Sequence, residues 1–235
     1  MGTGKLARFR ELEKFERVFQ PPFEEVFGKD FYLKGVWKKE VFHNENPLVL
    51  ELGCGKGEYT VGLARRDPGR NFMGLDIKGA RIWKGARQAD EEGLSNVAFL
   101  RTRIDFITSF FSRDEVDEIW ITFPDPQEKK RRNKKRLTGA RFLNLYRLLL
   151  RDQGIIHLKT DNEALYLSTL ELIRHNGLTL EEHTDDLHSE QWRHEAVLIQ
   201  TYYESRFLTE GSKIRYIRFR LPAGQEIKEV PDEIR

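Results

Sequence analysis

Cysteine is nearly absent: the chain has one, Cys54, in 235 residues. An intrachain disulfide is therefore impossible, and nothing points to an oxidising compartment. Long apolar runs are missing too. No window approaches 18 apolar residues, which argues against a membrane-spanning helix. The N-terminal stretch "MGTGKLARFRELEKFERVFQ" is charged throughout and has no apolar core, so no signal peptide is expected. His183, His188 and His194 fit no ligand spacing, and with a single cysteine no metal site is expected. Together these absences predict a soluble cytoplasmic protein with neither metal nor membrane partner. Nothing in the sequence chooses between a monomer and a homodimer.

What the chain does have is charge. Forty basic and 38 acidic residues nearly cancel, so only their distribution carries an electrostatic argument. Residues 128–136, "EKKRRNKKR", hold seven basic residues and one acid, which leaves the remainder net acidic. By itself such a run is more often a solvated face than a binding site. Its neighbours decide.

From Pro47 onward, short apolar runs alternate with amphipathic stretches. "PLVLELG", "NFMGLDI", "NVAFLRTRI", "VDEIWITF" and "GIIHLKT" read as buried strands. "GEYTVGLARRD", "GARIWKGARQADEEG", "DFITSFFS", "TGARFLNLYRLLLRDQG" and "NEALYLSTLELIRHNG" read as the helices between them, the last capped by Asp161 or Asn162. This alternation predicts an α/β fold with a mostly parallel sheet and helices on both faces. "KIRYIRFRL" alternates as an antiparallel edge strand would. The economical division is an N-terminal accessory segment over 1–46, a single domain over 47–222 and a tail over 223–235. Trp83, Trp120 and His157 are expected in the core, Cys54 as a small packing residue, and Trp37 and Trp192 on either core or surface.

"ELGCGKGEYT" joins the first of these strands to the first helix. Gly53, Gly55 and Gly57 give GxGxG, not the GxGxxG that seats a dinucleotide pyrophosphate. Glu51 would repel a pyrophosphate but could hold an amino group. Asp76 ends the second strand, where an acid takes the hydroxyls of an adenosine ribose. A cofactor with a ribose and a cationic amino-acid head but no phosphates satisfies this set, and S-adenosylmethionine is that cofactor. Its adenine belongs near the end of "LRTRIDF", beside Arg103, the Ile104 backbone N–H and Asp105.

"TFPDPQEKKRRNKKR" leaves the fourth strand on the same rim. Pro124 and Pro126 restrict the backbone on either side of Asp125 and hold its carboxylate outward. A carboxylate complements the N1–H and N2–H₂ edge of guanine. Guanine N7 already carries a lone pair, so its methylation needs no base. The product is a cation, and an anion nearby favours the charge as it develops. The basic run then reads as a phosphate grip that positions RNA without reading sequence.

The combination "ELGCGKG", "GLDIKG", "FPDPQEKKRRNKKRLT", "LKTDNEAL" and "TYYESRF", in order between Leu48 and Phe219, resembles the bacterial tRNA (guanine-N7-)-methyltransferases. That resemblance implies a Rossmann-like class I methyltransferase fold and methylation of a guanine in the tRNA variable loop. It places cofactor contacts on Glu51 and Asp76 and the catalytic-loop aspartate on Asp125. Substrate contacts fall on Lys129, Asp161, Thr201 and Glu204, and RNA binding on Arg131, Arg132, Lys134, Lys135 and Arg136. Asp161 serves equally as a helix cap in this reading. The chain departs from the family at Gln127, where tryptophan is usual, and at Arg103, where an adenine-contacting aspartate is common. Two rivals stand beside this reading: a methyltransferase with another acceptor, and an RNA-binding protein that keeps the fold without turnover.

Overall fold

The computed structural model describes residues 8, 10–189, 196 and 198–231. Among them eight strands form one sheet: β1 (Val18–Phe19), β2 (Leu48–Leu52), β3 (Asn71–Asp76), β4 (Val97–Arg101), β5 (Val116–Thr122), β6 (Leu150–Thr160), β7 (Leu180–Thr184) and β8 (Arg215–Leu221). The order is β1-β4-β3-β2-β5-β6-β8-β7. Every pair from β1 to β6 is parallel, whereas β8 runs antiparallel to both β6 and β7. Among the described residues the longer helices that cover the sheet are α1 (Glu58–Arg66), α2 (Gly79–Glu91), α3 (Ala140–Tyr146), α4 (Glu163–His175) and α5 (Tyr202–Thr209). No helix among the described residues is long and apolar enough to cross a membrane.

Strand alternation sorts side chains onto two faces. Leu48, Leu50 and Leu52 of β2 join Ile119 and Ile121 of β5 under α3 and α4, in a core that also takes Phe142, Leu143, Leu170 and Ile173. Val49, Trp120 and Tyr216 face α1, α2 and α5, where Tyr59, Ile82 and Ile199 meet them. The N-terminal segment feeds both cores, Leu12 the second and Val26, Phe31, Leu33, Trp37, Val41 and Phe42 the first. Trp37 is fully buried and donates its indole N–H to the Phe110 carbonyl at 2.7 Å, with Phe19, Phe31 and Phe111 around its ring. At the opposite end of the chain, Ile227 and Val230 are buried in the same core.

Three elements differ from the sequence reading. The helix expected over "TGARFLNLYRLLLRDQG" stops at Tyr146, and β6 begins at Leu150. A run of leucines suits a buried strand as well as a helix. Here Leu149 and Leu150 are fully buried, and a bulge passes from the Val116–Leu150 pair to Glu118–Ile155, with Gln153 at φ 57°. The antiparallel margin is a pair of strands, not one. β8 lies inside it, and the outer strand β7, "LEEHT", is too polar to announce itself. "DFITSFFS" forms a 3₁₀ turn over Ile104–Phe106 followed by a single α turn, Ile107–Phe110.

Candidate active site

The chain runs from β2 outward to β3 and β4, then returns to place β5 on the other side of β2. That reversal makes the crevice beyond the carboxyl ends of β2 and β5 the natural ligand position in an open parallel sheet. Glu51 and Thr122 meet there, the Thr122 hydroxyl donating to Glu51 Oε1 at 2.6 Å. The other carboxylate oxygen accepts the Thr60 backbone N–H at 2.8 Å and the Thr60 hydroxyl. Glu51 is almost completely buried, and burial pushes its carboxyl up to about 7 against the pull of those hydrogen bonds. The negative Asp76 nearby adds to the rise. A buried acid so poised gains from a cation arriving beside it.

Above Glu51 lies the glycine loop. Gly53 has φ 77°, and a Cβ added there would meet nothing within 4 Å. Gly57 is required for a different reason. At φ 70°, its Cβ would fall 2.7 Å from the Phe99 ring, so only glycine lets α1 start this close to the sheet. Asp76 holds the loop from behind, accepting the Gly55 N–H at 3.0 Å and the Lys78 N–H at 2.7 Å.

A cavity of about 320 Å³ opens here, lined by Glu51, Gly53, Gly55, Asp125, Asp161 and Thr201 together with the rings of Tyr59, Phe123, Tyr203 and Phe207. Sequence-distant acids and the glycine loop are thus brought to one hollow. A larger groove of about 870 Å³ crosses the outside of α1 and α2. Most of its charges pair with one another, Arg65 with Glu92, Lys84 with Glu58 and Arg87 with Glu91, and it lies along the outer helices. The smaller cavity is the one where Glu51, Asp125 and Asp161 converge, none of them in an ion pair among the described residues.

Asp125 is exposed on the lip of that cavity, and its Oδ1 accepts the Gln127 N–H at 3.0 Å. The residues flanking "PDP" are both left-handed, Phe123 at φ 46° and Gln127 at φ 50°. For residues with a Cβ this backbone costs about 1–3 kcal/mol each and persists only when its surroundings fix it. They do so at both ends. The Phe123 N–H donates to the Lys159 carbonyl of β6 at 2.7 Å, and Arg136 Nε donates to the Pro126 carbonyl at 3.1 Å while its Nη1 reaches Ser168 Oγ at 3.0 Å. Arg136 is therefore occupied with the loop itself. Arg131, Arg132, Lys134 and Lys135 are exposed on the 3₁₀ turn Lys130–Lys135, and Lys129 is exposed at its start, outside the cavity lining.

Two expected positions take other places. Asn162, not Asp161, caps α4 by accepting the Leu165 N–H at 2.8 Å, which leaves the Asp161 carboxyl to the cavity with its pKa raised by burial. Glu204, expected at the substrate, lies in the first turn of α5. Thr201 caps α5 by accepting the Glu204 N–H at 3.2 Å, and the Glu204 carboxylate is fully buried, 2.8 Å from Lys159 Nζ and 2.8 Å from His188 Nε2. It lies behind the cavity, not in its lining. Lys159, equally buried, also donates to the Ala196 carbonyl at 2.6 Å and the Ile199 carbonyl at 3.2 Å. Burial lowers its pKa and the Glu204 charge opposes that. Sequence reasoning missed Lys159; the signal was a lysine at an inward position of an otherwise apolar strand, which cannot be buried without a partner.

Near the end of β4, Arg103 is exposed and pairs with Asp105 at 3.2 Å, while Arg141 holds the other Asp105 oxygen at 2.6 Å. Ile104 opens the 3₁₀ turn and packs on the apolar core. Neither Arg103 nor Ile104 lines the cavity. His157 is a buried core histidine, stacked 3.8 Å from Trp120 and bonded to Tyr216 Oη at 2.7 Å and to Glu118 at 3.0 Å. Trp192 and His194 lie outside the described residues. No cluster that could hold a metal occurs among the described residues.

The family model described as "Putative methyltransferase" matches residues 45–217. A tRNA (guanine-N(7)-)-methyltransferase of Christiangramia forsetii is 53% identical over 94% of this chain and 100% of its own length. The chain belongs to the tRNA (guanine-N(7)-)-methyltransferase family. The relative of the same description from Bacteroides fragilis is 48% identical over 100% of this chain and 92% of its own. The crystal structure of the 16S rRNA methyltransferase KamB superposes with a TM-score of 0.62 at 15% identity, covering 80% of this chain and 94% of that one, a likeness of fold. The enzyme thus has the Rossmann-like class I methyltransferase architecture expected of its βαβ pattern.

Proposed function

We propose that the enzyme uses S-adenosylmethionine to form 7-methylguanosine in tRNA, at a guanine of the variable loop, and that it works in the cytoplasm, where its substrate is. The observation that carries this reading is a buried acid and an exposed acid on one cavity: Glu51 at its base, with a carboxyl near 7, and Asp125 on its lip. The base suits an ammonium group. A phosphate would be repelled there, which disfavours a dinucleotide.

In this reading Glu51 would hold the amino group of the cofactor, Gly53 and Gly55 would leave room for its amino-acid portion, and Asp76, which holds the loop, would take its ribose hydroxyls. Arg103 and Ile104, at the end of β4 and outside the cavity lining, would hold its adenine. When bound, S-adenosylmethionine supplies an electrophilic methyl group. Asp125, beside Asp161 and Thr201, orients the guanine edge, which must leave its stack to reach the cavity. No proton is removed from N7. Asp125 lowers the barrier by standing near the positive charge that develops on the ring. Glu204 acts at one remove: clamped by Lys159 and His188, it fixes the first turn of α5 and with it Thr201. Arg131, Arg132, Lys134 and Lys135, with Lys129, take phosphates, and Arg136 holds the Asp125 loop.

The test is methyl transfer from labelled S-adenosylmethionine to unmodified tRNA, followed by nucleoside analysis. Label in 7-methylguanosine is the expected result. Label in another nucleoside would overturn the base assignment, and binding of tRNA without any transfer would favour the non-catalytic alternative.

A further inference from the structure

A group of phenyl rings stands uncovered on the same rim, on the far side of β4 from the cavity. Phe23 and Phe27 are 51% and 60% exposed. Their rings stack at 4.8 Å and 25°, and Phe106 meets them edge-on, 5.5 Å from Phe23 and 6.2 Å from Phe27. The turn that carries them is pinned in place. Pro21 and Pro22 restrict its entry, Val26 is buried beneath it, and Ser109 Oγ donates to the Val26 carbonyl at 2.9 Å. Two stacked phenyls held rigidly toward water are a ready surface for another flat ring.

The patch is physically continuous with the basic turn. Arg103 lies 5.7 Å over the Phe106 ring and shares Asp105 with Arg141. Arg141 lies in the first turn of α3, which begins at Ala140, shortly after the turn Lys130–Lys135. One stripe therefore runs from exposed lysines and arginines, through Arg141 and Arg103, to exposed aromatic faces. Basic residues tracking a backbone, with aromatic faces beside them, is the pattern that binds single-stranded nucleic acid. Glu24 and Glu25 share the aromatic turn and keep phosphates off it, which suits the face of a base and not the backbone. A second protein chain is a poor occupant: two half-exposed phenyls offer roughly 200–300 Å², far below the ~800 Å² per partner of a stable interface.

We infer that Phe23 and Phe27 form a stacking platform for an unpaired, unstacked base of the tRNA, held at a distance from the guanine being modified. This rests on the proposed RNA substrate. It gives the enzyme a second grip, on the opposite side of the cofactor loop from the "PDP" loop. A substrate held at both points is registered across the cavity and not merely attracted to it.

The experiment is steady-state methylation against tRNA concentration with the full chain carrying Phe23→Ala and Phe27→Ala, beside pairs in which both become Tyr or both become Leu. The Ala pair is expected to raise the KM for tRNA on the order of tenfold, the scale of removing one base–aromatic stack. The kcat, the KM for S-adenosylmethionine and the slope of log KM against log salt should be unchanged. The Tyr pair should restore the KM and the Leu pair should not. An unchanged KM in the Ala pair, or a Leu pair as good as Tyr, overturns the platform. If the Ala pair melts early, the Tyr and Leu pairs alone carry the same decision. Should wild type transfer no methyl to tRNA, the parent reading falls, and filter retention of tRNA by the Tyr and Leu pairs still decides this one.

Discussion

The two faces of the central sheet are built from the same strands and hold together by different physics. Toward α3 and α4, β2, β5, β6 and β8 present Leu50, Ile119, Ile156, Leu158, Ile217 and Phe219, and the packing is apolar throughout. Toward α1 and α5 the next residues along the same strands are Glu51, Trp120, His157, Lys159 and Tyr216. Every charged or polar group in that row has a named partner: Glu51 with Thr60 and Thr122, His157 with Glu118 and Tyr216, Lys159 with Glu204. Apolar burial is non-directional and contributes about 25 cal/mol per Å² wherever it occurs. Buried ion pairs lose most of their attraction to desolvation, so they are a poor source of stability but a strict source of geometry. The apolar face makes the domain; the polar face places α5, the glycine loop and the cavity.

Substitutions on each face should separate these roles. The largest effect is expected at the buried pair. Lys159→Met leaves the Glu204 carboxylate without its buried cation, at a cost of about 3–5 kcal/mol in denaturant unfolding. Replacing both partners, Lys159→Met with Glu204→Leu, should recover most of that stability without recovering turnover, because Thr201 loses its fixed position. Leu50→Ala on the other face should cost a similar ~2–5 kcal/mol, yet leave kcat per folded molecule near wild type. A double variant as active as wild type would reduce the pair to scaffolding. Next in size is Asp125→Ala. Tight tRNA and cofactor binding should survive while kcat falls about 100-fold or more, the scale of removing one preorganised electrostatic group. A near-normal kcat would take Asp125 out of the mechanism.

Glu51 sharpens the contrast through pH. Its carboxyl sits near 7 in the fold against an ordinary value of 4.5. The folded state therefore holds a proton that the unfolded chain releases between those values, and stability falls as pH rises through that window, by up to about 3 kcal/mol. Glu51→Gln should remove this loss and leave a protein more stable than wild type at pH 7.5. The same change should weaken cofactor binding without abolishing it. In wild type the cationic ligand draws the proton off, so affinity should weaken as pH drops below about 7. At pH 6, calorimetric titrations in buffers of different ionisation heat should report close to one proton released by wild type and none by the variant. Equal proton release in both would assign the linkage elsewhere.

How far the sequence could be read follows the same division. The apolar face was legible, because short apolar runs such as "PLVLELG" and "VDEIWITF" and the glycines between them announce strands and turns. So was the convergence of Glu51, Gly53, Asp125 and Asp161 on one rim, since each sits where a strand must stop. The polar face was not. β7 reads "LEEHT" and lacks an apolar signature, and Lys159 is recognisable only once Glu204, 45 residues later, is known to lie behind it. Trp37 could not be assigned to core or surface, because the rings around it come from residues 19, 31 and 111 and its hydrogen-bond acceptor from residue 110. Long-range pairing leaves no local periodicity, and that is where the reading stopped.

The smallest predicted effect bears on Arg136, which the sequence assigned with its neighbours to a phosphate grip. Its Nε donates to the Pro126 carbonyl and its Nη1 to Ser168, so it ties the strained loop of Asp125 to α4. Arg136→Ala should lower kcat by about tenfold, the scale of one or two hydrogen bonds from a charged donor, and leave the salt dependence of tRNA binding as in wild type. Arg131, Arg132, Lys134 and Lys135 changed together to Ala should do the opposite. They should raise the KM for tRNA and flatten the log KM against log salt slope by about one for each phosphate no longer neutralised, with kcat at saturating tRNA little changed. If Arg136→Ala flattens the slope as the others do, its place is with the residues that neutralise phosphates. A changed kcat at constant slope places Arg136 with the polar face, as a residue that acts on the reaction by holding Asp125 still.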